Sequence, residues 1–126
     1  MIAERKDRKK IAILDTDQNA RLLLQTLFQD EGYVVYQTDS ISAVRKMITQ
    51  KNIDLIIIEP MGLPKNEVAA LVSGRYGVPK IIYSVQIIDP DDQTYWAADC
   101  LIKQSNPEHM LRTVYKIFHP QSLCVA

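Results

Sequence analysis

Apolar residues along this chain follow two rhythms. Short runs with little polar interruption, Ile11–Leu14, Tyr33–Tyr36, Leu55–Ile58, Ile81–Tyr83 and Cys100–Ile102, alternate with stretches whose apolar positions recur every three or four residues. Four consecutive apolar side chains, as in Leu55-Ile56-Ile57-Ile58, predict a strand buried on both faces. The helical stretches put Ala20, Leu23, Leu24 and Leu27 on one stripe, Ile41, Val44 and Ile48 on a second, and Leu111, Val114, Tyr115 and Phe118 on a last one.

Punctuation residues divide these segments. Asp17 is a suitable N-cap for the first helix, and Gly32 stands where a helix C′ glycine belongs. Ser40 or Ser42 can cap the second helix. Pro60 ends the third strand, and Gly62-Leu63-Pro64 imposes a loop before a helix that starts at Asn66-Glu67-Val68 and stops near Gly74. Val78-Pro79 leads into a strand from Lys80 to Ser84. Asp89-Pro90-Asp91-Asp92 and Asn106-Pro107-Glu108 both read as a cap, a proline at the first helical position, and acid against the positive helix end. Pro120 closes the last helix.

Strands alternating with helices through short turns predict an α/β fold: a flavodoxin-like, doubly wound (βα)5 three-layer sandwich with parallel strand order 2-1-3-4-5. The expected organisation is a basic leader at 1–9, one domain at 10–119, and a tail at 120–126. In that order the carboxyl ends of the first and third strands meet at the topological switch point, where open α/β sheets hold ligands. Asp15 and Asp17 follow the first strand, Glu59 ends the third, Ser84 the fourth and Lys103 the fifth.

Composition narrows the function. The 126 residues fit one domain, with 47% hydrophobic and 24% charged residues. Fifteen basic residues balance fifteen acidic ones, so no overall field favours nucleic acid or anionic lipid. Arg5, Lys6, Arg8, Lys9 and Lys10 form a local cluster that reads as a solvated leader or a docking patch. No span long enough for a membrane and no signal peptide are visible. Cys100 and Cys124 lack metal or redox spacing, and His109 and His119 are isolated, so a reducing, cytoplasmic setting is expected.

The ordered set Asp15-Thr16-Asp17, Glu59, Ser84 and Lys103 resembles that of response-regulator receiver domains of two-component signalling, over roughly Lys9 to Phe118. The resemblance implies a signalling or protein-interaction module rather than an enzyme, with a sensor kinase or an output protein as partner. It makes Glu59 the phosphoacceptor position and Asp15 with Asp17 the acidic cluster. Ser84, Lys103 and Cys100 take the phosphate-switch positions. Candidate Mg²⁺ ligands are Asp15, Glu59 and the Met61 backbone carbonyl.

The departures carry consequences. Glu59 replaces an aspartate, Thr16 the second of two adjacent acids, Cys100 an aromatic residue, Gln104 a proline, and Trp96 a small residue. One extra methylene extends the carboxylate by about 1.5 Å, enough to disturb in-line attack. Phosphoryl transfer between anions depends on a metal, and Thr16 removes charge from that site, leaving Mg²⁺ binding weak or absent. The longer side chain can instead approach Lys103 and Ser84 and imitate a phosphorylated aspartate, with one negative charge in place of about two.

Two other readings stay open on these residues. One is a phosphorylation-competent receiver using Asp15 and Asp17 as metal ligands. The other is a small flavodoxin-like ligand-binding protein, although Asp15 to Asn19 contains no glycine and no G-x-S-x-G motif occurs. Ile87, Ile88, Tyr95 and Trp96 can form an apolar partner patch, or Trp96 can pack in the core. The resemblance implies a homodimer or output contact through the fourth helix, fifth strand and final helix.

Overall fold

The computed structural model describes residues 8–74, 77–85, 95, 98–103 and 106–120. Strands β1 (Lys10–Leu14), β2 (Val34–Thr38), β3 (Leu55–Ile58), β4 (Lys80–Ser84) and β5 (Asp99–Ile102) form one parallel sheet in the order β2-β1-β3-β4-β5. Helices α1 (Gln18–Asp30), α2 (Ile41–Lys51), α3 (Lys65–Ser73) and α4 (Glu108–Phe118) cover its two faces. This is the doubly wound, three-layer arrangement that the alternation of rhythms predicts. The leader to residue 7, the helix signal at Asp89, Ile87, Ile88, Trp96, Gln104 and the tail after Pro120 lie outside the described residues.

Alternation along the strands divides the core in two. Ala12, Leu14, Ile56, Ile58 and Ile82 pack with Ile41 and Val44 of α2 and with Val68, Leu71 and Val72 of α3. Their neighbours Ile11, Ile13, Leu55, Ile57, Ile81 and Tyr83 pack with Leu24 and Phe28 of α1 and with Met110 and Val114 of α4. A pleated strand sends successive side chains to opposite faces, so a continuous apolar run serves both layers. Each fully buried Ile or Leu contributes about 1.5–3 kcal/mol.

Caps define where the helices begin and end. Asp17 Oδ1 accepts the Asn19 and Ala20 N–H groups at 2.9 and 3.4 Å, and Ser40 Oγ accepts the Ala43 N–H at 3.2 Å. Gly32 turns the chain into β2 at φ +95°, and Asn52 ends α2 in the left-handed region at φ 55°. At α4 the cap signal sits slightly earlier than the helix: Asn106 Oδ1 accepts the Glu108 N–H at 3.0 Å, with Pro107 between them.

Two helical stripes differ from the sequence pattern. Leu23 is 59% exposed whereas Phe28 is fully buried, so the buried edge of α1 runs through Leu24 and Phe28. On α4, Tyr115 is 52% exposed and stacks on His119 at 4.0 Å, while Met110 enters the core. Adjacent apolar residues on a helix point about 100° apart, and docking on the sheet selects between them. The fifth strand also differs: β5 is an exposed edge, with Cys100 and Ile102 facing outward.

Candidate functional site

The parallel ladder continues one residue beyond three strands, and those extra bonds set the site. The Asp15 N–H donates to the Thr38 carbonyl at 3.1 Å, the Glu59 N–H to Leu14 at 2.9 Å, and the Lys103 N–H to Ser84 at 2.7 Å. Asp15, Glu59 and Lys103 thereby stand at the carboxyl edge of the sheet with their backbones fixed. The two carboxylate residues are buried at 2% and 5% exposure, which makes their partners decisive.

Lys103 joins the two acids. Its Nζ lies 2.7 Å from Asp15 Oδ2 and 3.5 Å from Glu59 Oε1, and 5.7 Å from the centre of the Tyr83 ring. The ammonium sits between two carboxylates over an aromatic face, where charge pairing and cation–π attraction act together. Both acids also accept backbone N–H groups. Asp15 Oδ1 takes the Asp17 N–H at 2.9 Å. Glu59 Oε1 takes the Val85 N–H at 3.2 Å, and Oε2 takes the Met61 N–H at 3.3 Å. The Glu59 carboxylate therefore fills a small anion pocket made of two amides and one ammonium.

The surrounding loops hold this arrangement. Arg21 of α1 donates through Nη1 to the Asp15 carbonyl at 2.6 Å and through Nε to Gln37 of β2, tying the β1 exit to α1 and β2. Thr16 Oγ1 donates to the Met61 carbonyl at 3.3 Å, linking the loop after β1 to the loop after β3. Gly62, at φ +84°, lies so close to Thr16 that a Cβ there would come within 3.0 Å of its hydroxyl.

The sequence-predicted positions divide into groups. Asp15, Glu59 and Lys103 come together. Ser84 ends β4 at 1% exposure, and its successor Val85 supplies an amide to Glu59. Asp17 is the cap of α1, with Oδ1 on the Asn19 and Ala20 amides. Cys100 lies on the exposed edge strand, away from the buried cluster, and its thiol is pushed up first by desolvation and then by Asp99. Thr16 as a clasp, Arg21, Tyr83 and the two amides were not part of the sequence expectation. Only the position of Thr16 beside Asp15 was a signal for any of them.

A divalent cation at this rim would draw on Asp15, Glu59 and the Met61 carbonyl. The donor set does not fit it. Asp15 Oδ1 and Oδ2, Glu59 Oε1 and Oε2, and Met61 O each already carry a protein donor. Mg²⁺ demands near-octahedral oxygen ligation, and an ammonium between the two acids competes directly with it. Among the described residues no group of three or more His, Cys, Asp or Glu side chains forms a metal cluster.

A five-stranded parallel sheet in this order, with paired acids and a lysine on its carboxyl edge, defines a flavodoxin-like α/β domain with a charged rim. Comparison with solved structures narrows the class. The response regulator TrrA from Thermotoga maritima, in complex with Mg²⁺-BeF, is 27% identical, with 86% of this chain and 98% of that chain covered at a TM-score of 0.75. The receiver domain of the TMAO respiratory response regulator TorR is 23% identical over 89% and 98% of the two chains at 0.76. The chemotaxis regulator CheY4 of Vibrio cholerae is 20% identical over 87% and 98% at 0.72. A further match is the complex of the histidine kinase ThkA with TrrA. No protein-family model and no curated protein matches the chain. In fold the chain matches response-regulator receiver domains of two-component systems. No helix among the described residues is long and apolar enough to cross a membrane.

Proposed function

We propose that this chain is an atypical receiver domain, a regulatory and protein-interaction module in phosphorelay-type signalling, in which conventional aspartyl phosphorylation is lost. The observation that carries this reading is the seat of the Glu59 carboxylate, held by the Met61 and Val85 amides and by Lys103. Glu59 delivers its charge about one carbon–carbon bond further from the backbone than an aspartate does. It thereby acts as a built-in anion where an incoming phosphoryl group would otherwise be received. The rim is held in one charge state, and the domain presents a constant surface to its partner.

The partner is a protein of the same signalling system, a sensor kinase or an output protein. TrrA, which this chain resembles, is known in a complex with a histidine kinase. The balance of fifteen basic against fifteen acidic residues argues against nucleic acid.

Incubation with acetyl phosphate and Mg²⁺, followed by intact mass measurement, tests the proposal. The expected spectrum shows no phosphoryl adduct. A stable phosphoryl group on wild-type Glu59 would overturn the reading in favour of a phosphorylation-competent receiver.

A further inference from the structure

The mismatch between the rim and a divalent cation has a specific source. Thr16 stands beside Asp15, and its hydroxyl donates to the Met61 carbonyl at 3.3 Å. Met61 is held through both of its backbone polar groups, because its N–H donates to Glu59 Oε2 at 3.3 Å. Thr16 therefore acts on Glu59 through the backbone of one residue. The loop is shaped for this contact. Leu63 N–H closes a turn on the Pro60 carbonyl at 3.0 Å, and Gly62, at φ +84°, approaches so closely that a Cβ would stand 3.0 Å from the Thr16 hydroxyl.

Lys103 supplies the other part of a cation's work. A metal between two acids neutralises them and ties their loops together. Here the ammonium does the neutralising, 2.7 Å from Asp15 and 3.5 Å from Glu59. The remaining acid of the cluster, Asp17, caps α1 through Oδ1.

We propose that Thr16 is a positioning residue that replaces a metal bridge: its bond to Met61, together with the Lys103 ammonium, closes the rim without a divalent cation and holds Glu59 in its amide pocket. This inference rests on the receiver reading of the rim and adds how that rim is fixed.

The test is a titration of the full chain with MgCl2, followed by amide chemical shifts and hydrogen exchange. In the wild type the amides of Asp15, Glu59, Met61 and Val85 are expected not to move at millimolar Mg²⁺. Thr16→Ser keeps the hydroxyl and should behave as the wild type. Thr16→Val keeps the branched shape and removes the donor. It should speed exchange at Met61 and Leu63 several-fold without creating Mg²⁺ affinity. Thr16→Asp places a second carboxylate beside Asp15 and should make the Asp15, Glu59 and Met61 amides shift at millimolar Mg²⁺, where the wild type shows no change.

Mg²⁺-dependent shifts in the wild type would overturn the inference, as would unchanged exchange in Thr16→Val or unchanged affinity in a folded Thr16→Asp. If Thr16→Asp does not fold, the wild-type titration and the Ser/Val comparison still decide. The two proposals fail separately: loss of the receiver reading appears as a phosphoryl adduct, whereas loss of this one appears as Mg²⁺ binding or an indifferent clasp with no phosphodonor present.

Discussion

The Val85 N–H donates to Oε1 of Glu59 at 3.2 Å, joining the loop after β4 to the end of β3. With the Met61 N–H on the other oxygen, the carboxylate bridges two loops that the sheet alone leaves apart. Glu59 is thus a structural cross-link as well as a charge, and both properties can be separated by substitution.

Glu59→Gln keeps an acceptor oxygen of similar reach but loses the ion pair, and Glu59→Ala leaves both amides without their carboxylate. Met61 and Val85 are themselves exposed, so water can replace the lost acceptor. At about 0.5–1.5 kcal/mol net per hydrogen bond, Glu59→Ala should lose about 1–3 kcal/mol in all and Glu59→Gln about half of that. Glu59→Asp retracts the group by about 1.5 Å and should fall between them. Urea unfolding of the three variants gives the order directly.

Lys103 and Asp15 are coupled across most of the chain, 88 positions apart in sequence and 2.7 Å apart in space. Asp15 is almost fully buried, so removing Lys103 alone leaves an uncompensated charge. Lys103→Met should lose about 2–4 kcal/mol, Asp15→Asn less, and the double variant less than the sum of the two. A double-mutant cycle should return a coupling of about 1–3 kcal/mol. Additive effects would mean that the pair is not an energetic unit.

Asp17 has a different role from Asp15. Because its oxygen caps α1, Asp17→Ala should destabilise the domain by about 1 kcal/mol, while Asp17→Asn, also a good cap, should stay close to the wild type. Thermal melts distinguish this from a charge-dependent role, in which Asn would fail as badly as Ala.

Two groups outside the rim give stability a dependence on high pH. Burial, with Glu31 and Tyr115 adding to it, raises the Tyr33 hydroxyl above 10.0, so the folded state favours the protonated phenol. Its contribution is complete below that value and fades as pH rises through the raised one. Lys80 has the opposite sign: burial lowers it from 10.5, so the folded state favours the neutral amine. Its penalty is complete below the lowered value and disappears as pH approaches 10.5. Tyr33→Phe should remove a loss of stability above 10.0, and Lys80→Met should remove a gain below 10.5 and be more stable than the wild type at neutral pH. Denaturant melts from neutral pH to about pH 11 measure both slopes.

The alternation of strands and helices, the parallel order and the placing of Asp15, Glu59 and Lys103 at strand ends follow from the order of residues along the chain. A continuous apolar run implies a covered strand, and the polar residue that ends it emerges at the sheet edge. These are local codes with a short period, and they need no knowledge of partners. Tertiary structure decided which apolar residue of an adjacent pair entered the core: Leu24 and not Leu23, Val114 and not Tyr115. It also decided what surrounds Glu59. The Met61 and Val85 amides, the Thr16 clasp, the Arg21 tie and the Lys103 bridge depend on side-chain reach and on loops meeting across the sheet. No periodic signal encodes such meetings, because backbone N–H groups are present at every residue except proline and only a fold can aim two of them at one carboxylate.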